Sequence, residues 1–190
     1  MGLNLSKGGN LNLSKESGGA TKFTFALKWD ENTNAGAKWD LDASAICLGE
    51  NGKVFNGSTD YFIFYNNLQS PCGGVVHSGD ERTGAATGDD ELVAIDTTKL
   101  PAGVQKILFV VTIDEAIARN QNFGQVRGAG IRVVNTDTNA ELAKFDLTED
   151  YSTETAMTFG ELYRHEGDWK FKAIGSGKTG GLVGYETEFF

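Results

Sequence analysis

The sequence is poor in the residues that carry redox and transition-metal chemistry: 190 residues include two cysteines, two histidines and two prolines. Cys47 and Cys72 form no CxxC pair, and two thiols alone cannot complete a zinc site. Cys47 inside an apolar stretch reads as a buried thiol, and Cys72 between Pro71 and Gly73 as a loop thiol. His77 and His165 lie far apart and no Gly-x-Ser-x-Gly elbow is present, so a hydrolase triad has no support. No apolar run approaches the roughly 20 residues of a bilayer-spanning helix, and the opening residues lack the apolar core of a secretion signal. The expected location is therefore cytoplasmic, with any attachment at the inner membrane peripheral and made through partners. A clustered basic face is also missing. A formal net charge of -9 excludes wrapping nucleic acid and favours cations as ligands.

What is present is glycine, 25 residues of it, between short apolar runs. The length suits one domain spanning 1–190, with a core large enough to need no disulfides. Leu3-Asn4-Leu5-Ser6-Lys7 recurs as Leu11-Asn12-Leu13-Ser14-Lys15, and Gly8-Gly9 between the copies predicts a hairpin of two short strands. Phe23, Phe25, Leu27 and Trp29 alternate as in a half-buried strand. Strands are predicted also at 43–48, 61–65, 107–113, 131–134, 143–147, 157–163 and 169–173, with Asn51-Gly52 turning a second hairpin towards Val54-Phe55. One short helix is expected over 114–120, and the glycine-rich 175–180 segment reads as flexible. Such a succession is an all-β chain, an antiparallel β-sandwich with one or two short helices.

Acidic residues concentrate in two places. Asp40 and Asp42 are two residues apart, so an extended chain projects both carboxylates to one side. The segment 78–91 holds five acids and three glycines in fourteen residues, with Arg82 its one base. Asp80, Glu81, Asp89, Asp90 and Glu91 would repel one another in a compact fold unless a cation holds them. Calcium takes six to eight oxygen ligands, and Gly79, Gly84 and Gly88 would let the backbone turn carbonyls inward. An EF-hand is excluded by spacing, because a loop starting at Asp40 would need glycine at Ala45 and glutamate at Asn51. The charge run alone fits a solvated loop as well as it fits a metal site.

The chain resembles the TerD family of tellurite-resistance and stress-response proteins over essentially its whole length. The resemblance is carried by Leu5-Ser6-Lys7-Gly8-Gly9-Asn10, Trp39-Asp40-Leu41-Asp42-Ala43-Ser44, Phe62-Ile63-Phe64-Tyr65-Asn66-Asn67, Ser78-Gly79-Asp80 and Gly88-Asp89-Asp90-Glu91, in that order. Asn122-Phe123-Gly124-Gln125-Val126-Arg127 and Phe159-Gly160-Glu161-Leu162-Tyr163-Arg164-His165 continue it. It implies a non-enzymatic β-sandwich that binds one or two calcium ions and works with other stress-response or tellurite-resistance proteins. The metal ligands it implies are Asp40, Asp42, Asp80, Asp89, Asp90 and Glu91. The chain departs from the family pattern at Glu81 and at Ala86-Thr87, where an asparagine and a Gly-Asp pair are usual; Glu81 or the Thr87 carbonyl would have to compensate.

Two other readings compete. Trp29, Trp39 and Trp169 with Tyr61 and Tyr65 would make a sugar-stacking face in a calcium-dependent carbohydrate-binding or adhesion module, although aromatics of a sandwich more often fill its core. Gly175-Ser176-Gly177-Lys178-Thr179 resembles the end of a phosphate loop, yet the first glycine of that pattern would fall at Lys172.

Overall fold

A computed structural model describes residues 2–33, 36–86, 88–147 and 153–190. Among these residues twelve strands form two six-stranded sheets. They are β1 (Leu3–Asn4), β2 (Asn10–Asn12), β3 (Lys22–Lys28), β4 (Leu41–Leu48), β5 (Phe62–Ile63), β6 (Val75–His77), β7 (Glu91–Asp96), β8 (Lys106–Ile113), β9 (Gly130–Asn135), β10 (Ala140–Asp146), β11 (Ala156–His165) and β12 (Asp168–Lys178). One sheet has the order β1-β10-β9-β3-β7-β6 and the other β2-β12-β11-β8-β4-β5. The described pairings are antiparallel except β1 with β10. Among the described residues three α-helices, α1 (Leu13–Glu16), α2 (Ala116–Arg119) and α3 (Gly181–Phe189), and two short 3-10 turns at Phe55–Gly57 and Thr59–Tyr61 complete the set. The expected all-β sandwich is what the chain forms.

The inward positions of both sheets interdigitate. Phe25 on β3 stacks on Phe109 of β8 across the sandwich, with ring centroids 3.8 Å apart, and Phe159 and Phe171 close the same cluster. Alternation along β3 and β12 puts Phe23, Phe25 and Leu27, and Trp169, Phe171 and Ala173, into this layer. At Gly160 a Cβ would lie 2.4 Å from the Phe171 ring, so only glycine lets β11 pass that aromatic.

Five expectations fail locally. The Leu-Asn-Leu repeat is no hairpin: β1 joins β10 in one sheet, β2 joins β12 in the other, and Leu13 begins α1. Both copies present leucines to the core, Leu5 on one side and Leu11 and Leu13 on the other, so Gly8-Gly9 carries the chain between sheets. The second arm of the Asn51-Gly52 turn shrinks to one bridge, Leu48 with Val54, and 61–65 yields only β5. Residues 175–178, expected to be flexible, extend β12. The sugar-stacking face does not form, because Trp29, Trp39, Trp169 and Tyr61 are buried in the core. β6, β7 and α3 had no counterpart in the sequence reading.

Candidate metal centre

β4 begins where a buried, charged corner has to be satisfied. Strand β5 reaches only Ala45 and Ile46, leaving the Ala43 peptide without a strand partner on that side. Two side chains from the opposite sheet take the partner's place. Glu91, the first residue of β7, accepts the Ala43 N–H on Oε2 at 2.6 Å, and His77, the last of β6, donates from Nε2 to the Ala43 carbonyl at 2.9 Å. Nδ1 of His77 accepts the Gly79 N–H at 3.0 Å, so the proton sits on Nε2 and the ring is neutral. The other Glu91 oxygen accepts the Glu81 N–H at 3.2 Å. Both groups are fully buried, and together they fasten the start of the acidic loop to β4.

Above this clamp three carboxylates converge. Asp40, Asp42 and Asp80 each place an oxygen within 4.8 Å of the others. Asp40 and Asp42 are buried, whereas Asp80 is partly open to solvent. Oδ1 of Asp40 is buried with no hydrogen-bond partner among the described residues, an arrangement that costs free energy unless a ligand completes it. Burial, joined by the charges of Glu91, Asp40, Asp114 and Asp80, pushes the Asp42 carboxyl up to about 8. Burial, then Asp80 and Asp114, raise Asp40 to about 6 against the opposing pull of Arg82 and Arg119. A site whose carboxyls resist ionising in the absence of a cation is one that a divalent ion would relieve.

The remaining predicted ligands go elsewhere. Asp89 lies outside the cluster, in a two-pronged bond to Arg132 with Nε at 2.8 Å and Nη2 at 2.6 Å. Asp90 is buried beside Trp29, whose N–H it accepts at 2.9 Å on Oδ2, and its Oδ1 has no hydrogen-bond partner among the described residues. Burial pushes the Asp90 carboxyl upward, and the Trp29 amide opposes the shift. Glu91 touches the cluster only through its charge, its oxygens being occupied by backbone amides. Glu81 does not compensate as expected: its carboxylate folds back onto Thr83 N, Thr83 Oγ1 and Gly84 N. Burial acts upward on it, but these hydrogen bonds outweigh burial and hold it below the usual range. The Thr87 carbonyl lies outside the described residues.

Sequence reasoning missed Asp114 and Arg119. Asp114 follows β8 and donates its N–H to the Asp40 carbonyl at 2.8 Å, which brings its charge to the cluster. Arg119, at the end of α2, reaches Asp40 Oδ2 at 3.7 Å and Asp114 Oδ2 at 3.1 Å. The signal was the helix predicted over 114–120, which opens on an acid and carries an arginine five residues on. The loop itself is seated on the core at Gly84, whose φ of +69° and close approach to the Trp29 ring leave no room for a Cβ.

The donor set matches a hard cation. It is carboxylate oxygen throughout, and the one nearby histidine has both nitrogens committed to backbone groups. Asp40, Asp42 and Asp80 would hold such an ion, and the orphaned Asp40 oxygen is the atom the fit most requires.

Comparison with known proteins places this geometry in context. A family profile described as the TerD domain matches residues 1–189. The chain is 56% identical over 183 residues to the tellurium resistance protein TerD of Serratia marcescens, covering 96% of this chain and 94% of that protein. It is 50% identical over 190 residues to general stress protein 16U of Bacillus subtilis, covering 100% of this chain and 97% of that one. Among solved structures, a homologue of telluride resistance protein from Streptomyces coelicolor A3(2) superposes with a TM-score of 0.73 at 23% identity, over 88% of this chain and 95% of its own. At that identity the likeness speaks for the fold.

Proposed function

Since the chain belongs to the TerD family, one of tellurium resistance and stress response, we propose that it is a non-enzymatic calcium-binding protein of the cytoplasm. The ion would sit among Asp40, Asp42 and Asp80 and would order the 78–91 loop into a surface read by other stress-response or tellurite-resistance proteins. The observation that supports this most is the convergence of three carboxylates, two of them buried, with one buried oxygen of Asp40 lacking a hydrogen-bond partner among the described residues. Among the described residues no helix is long and apolar enough to cross a membrane.

Isothermal calorimetry against calcium, and melting curves with calcium or chelator, test the reading. At calcium about 100-fold above Kd the ion should add about 2.7 kcal/mol of stability, a rise in Tm of about 5–10 °C for a chain of this size. Asp42→Asn should abolish the heat. An unchanged melting temperature with no heat of binding rules the proposal out.

A further inference from the structure

Two arginines already lean on the cluster. Arg82 Nε lies 3.1 Å from Asp80 Oδ2 and 3.8 Å from Asp40 Oδ2, and Arg119 Nη1 approaches the same Asp40 oxygen at 3.7 Å. We infer that Arg82 and Arg119 are resident counter-cations of this site, and that a divalent cation enters by displacing their guanidinium groups from Asp40 and Asp80. The inference rests on the calcium reading above and concerns what sets the affinity of that site.

Geometry separates these contacts from permanent ones. The Arg132 pair with Asp89 shows what a committed bond looks like in this chain: two prongs, at 2.8 and 2.6 Å. Both contacts to Asp40 exceed hydrogen-bond length, fall on one oxygen, and leave the buried Oδ1 without a hydrogen-bond partner among the described residues. The guanidinium groups thus dilute the charge of the cluster without completing its coordination.

Each arginine also has somewhere to go. Arg82 is 69% exposed and can withdraw into water at little cost. Arg119 keeps Asp114 Oδ2 at 3.1 Å and Glu115 Oε2 at 3.0 Å, so leaving Asp40 does not strip it of partners. It is delivered by α2, a single turn flanked by Glu115 and Asn120, both in the left-handed region at φ 46° and 52°. A divalent ion gains twice the Coulomb energy of a guanidinium at the same distance, whereas a monovalent ion gains no more than the arginines already supply. Displacement therefore selects for valence.

Calcium titrations by calorimetry on the full chain, at fixed pH and ionic strength, separate the possibilities. Arg82→Gln and Arg119→Gln should bind about threefold and about tenfold more tightly than the parent, the magnitude expected for removing one charge several ångströms from a divalent ion in a partly wet site. Arg119→Lys should restore the parent affinity, and Lys22→Gln, which removes the same charge from an exposed pair with Asp137, should leave it unchanged. A calcium-loaded crystal structure should show both guanidinium groups withdrawn from Asp40. If the parent binds calcium while both glutamine variants bind with equal or weaker affinity, displacement is wrong and the calcium reading stands. If no variant and no parent gives heat, the calcium reading itself has failed. Should Arg119→Gln not fold, Arg82→Gln carries the test, since an exposed side chain can be replaced without disturbing the core.

Discussion

Among the described carboxylates, Asp42 is the one for which ionisation is most strongly opposed in the folded chain. Burial first, then the charges of Glu91, Asp40, Asp114 and Asp80, lift its carboxyl to about 8, and Asp40 follows at about 6. Both values lie above the ordinary value of 3.8 for an unconstrained aspartate, so between about pH 4 and 8 these two groups bind more protons in the folded chain than in the unfolded one. The sign follows: the contribution is fully present below the unfolded value and is lost as pH rises through 6 and then 8. In chelator, urea midpoints should therefore fall from pH 5 to pH 8, while calcium, replacing the protons, should flatten or reverse the trend. Asp42→Asn removes the unfavourable charge. At pH 8 in chelator it should raise stability by about 1–2 kcal/mol, well under the full linkage value because solvent and side-chain relaxation screen the site, even though it removes calcium binding. A variant less stable than the parent under those conditions would show that Asp42 serves the fold rather than the ion.

At the scale of elements, the decisive contact is the pair of side chains that stands in for a missing strand beside β4. Glu91→Gln keeps the shape of the side chain but has only one acceptor oxygen, so its NH2 group must face the N–H of either Ala43 or Glu81. Leaving that buried amide unpaired should cost about 2–4 kcal/mol and loosen the 78–91 loop; chemical denaturation would read the first effect and weakened calcium binding the second. A stability equal to that of the parent would mean that the amide finds another acceptor. This contact also explains how far the sequence could be read. β3 and β8 were legible because their apolar residues alternate or run unbroken, and Asp40, Asp42 and Asp80 because the spacing and the family resemblance agreed. Asp89, Asp90 and Glu91 look equivalent as a charge run, yet the structure sends them to Arg132, to Trp29 and to Ala43 respectively. The same run hid β7, whose inward positions are Glu91, Val93 and Ile95: its first core-facing residue is an acid, and a charge there reads as loop. The Leu-Asn-Leu repeat misled for the opposite reason, since local alternation fits a hairpin equally well whether its two arms lie in one sheet or in two.

At the scale of the whole molecule, the cluster is a joint between the sheets. Asp42 lies on β4 and Asp40 just before it, in one sheet, whereas Asp80 lies on the loop that joins β6 and β7 of the other. An ion held by all three would cross-link two layers that otherwise meet through apolar contacts such as Phe25 against Phe109 and through the bonds of Glu91 and His77 to Ala43. The chain carries a net charge of -9, so a divalent guest also relieves part of the repulsion that opposes compaction. A cross-link between layers stabilises against their separation, which is global unfolding, and not only against opening of one loop. Native-state hydrogen exchange distinguishes these. With calcium about 100-fold above Kd, amides of β3, β4, β7 and β8 that exchange only through global unfolding should slow by about 100-fold. Amides of the β9–β10 turn, at Thr136 and Asn139 and remote from the joint, should keep their rates if they exchange by local fraying. Slowing restricted to the 78–91 segment, with the strand cores untouched, would mean that the ion orders a loop without joining the sheets.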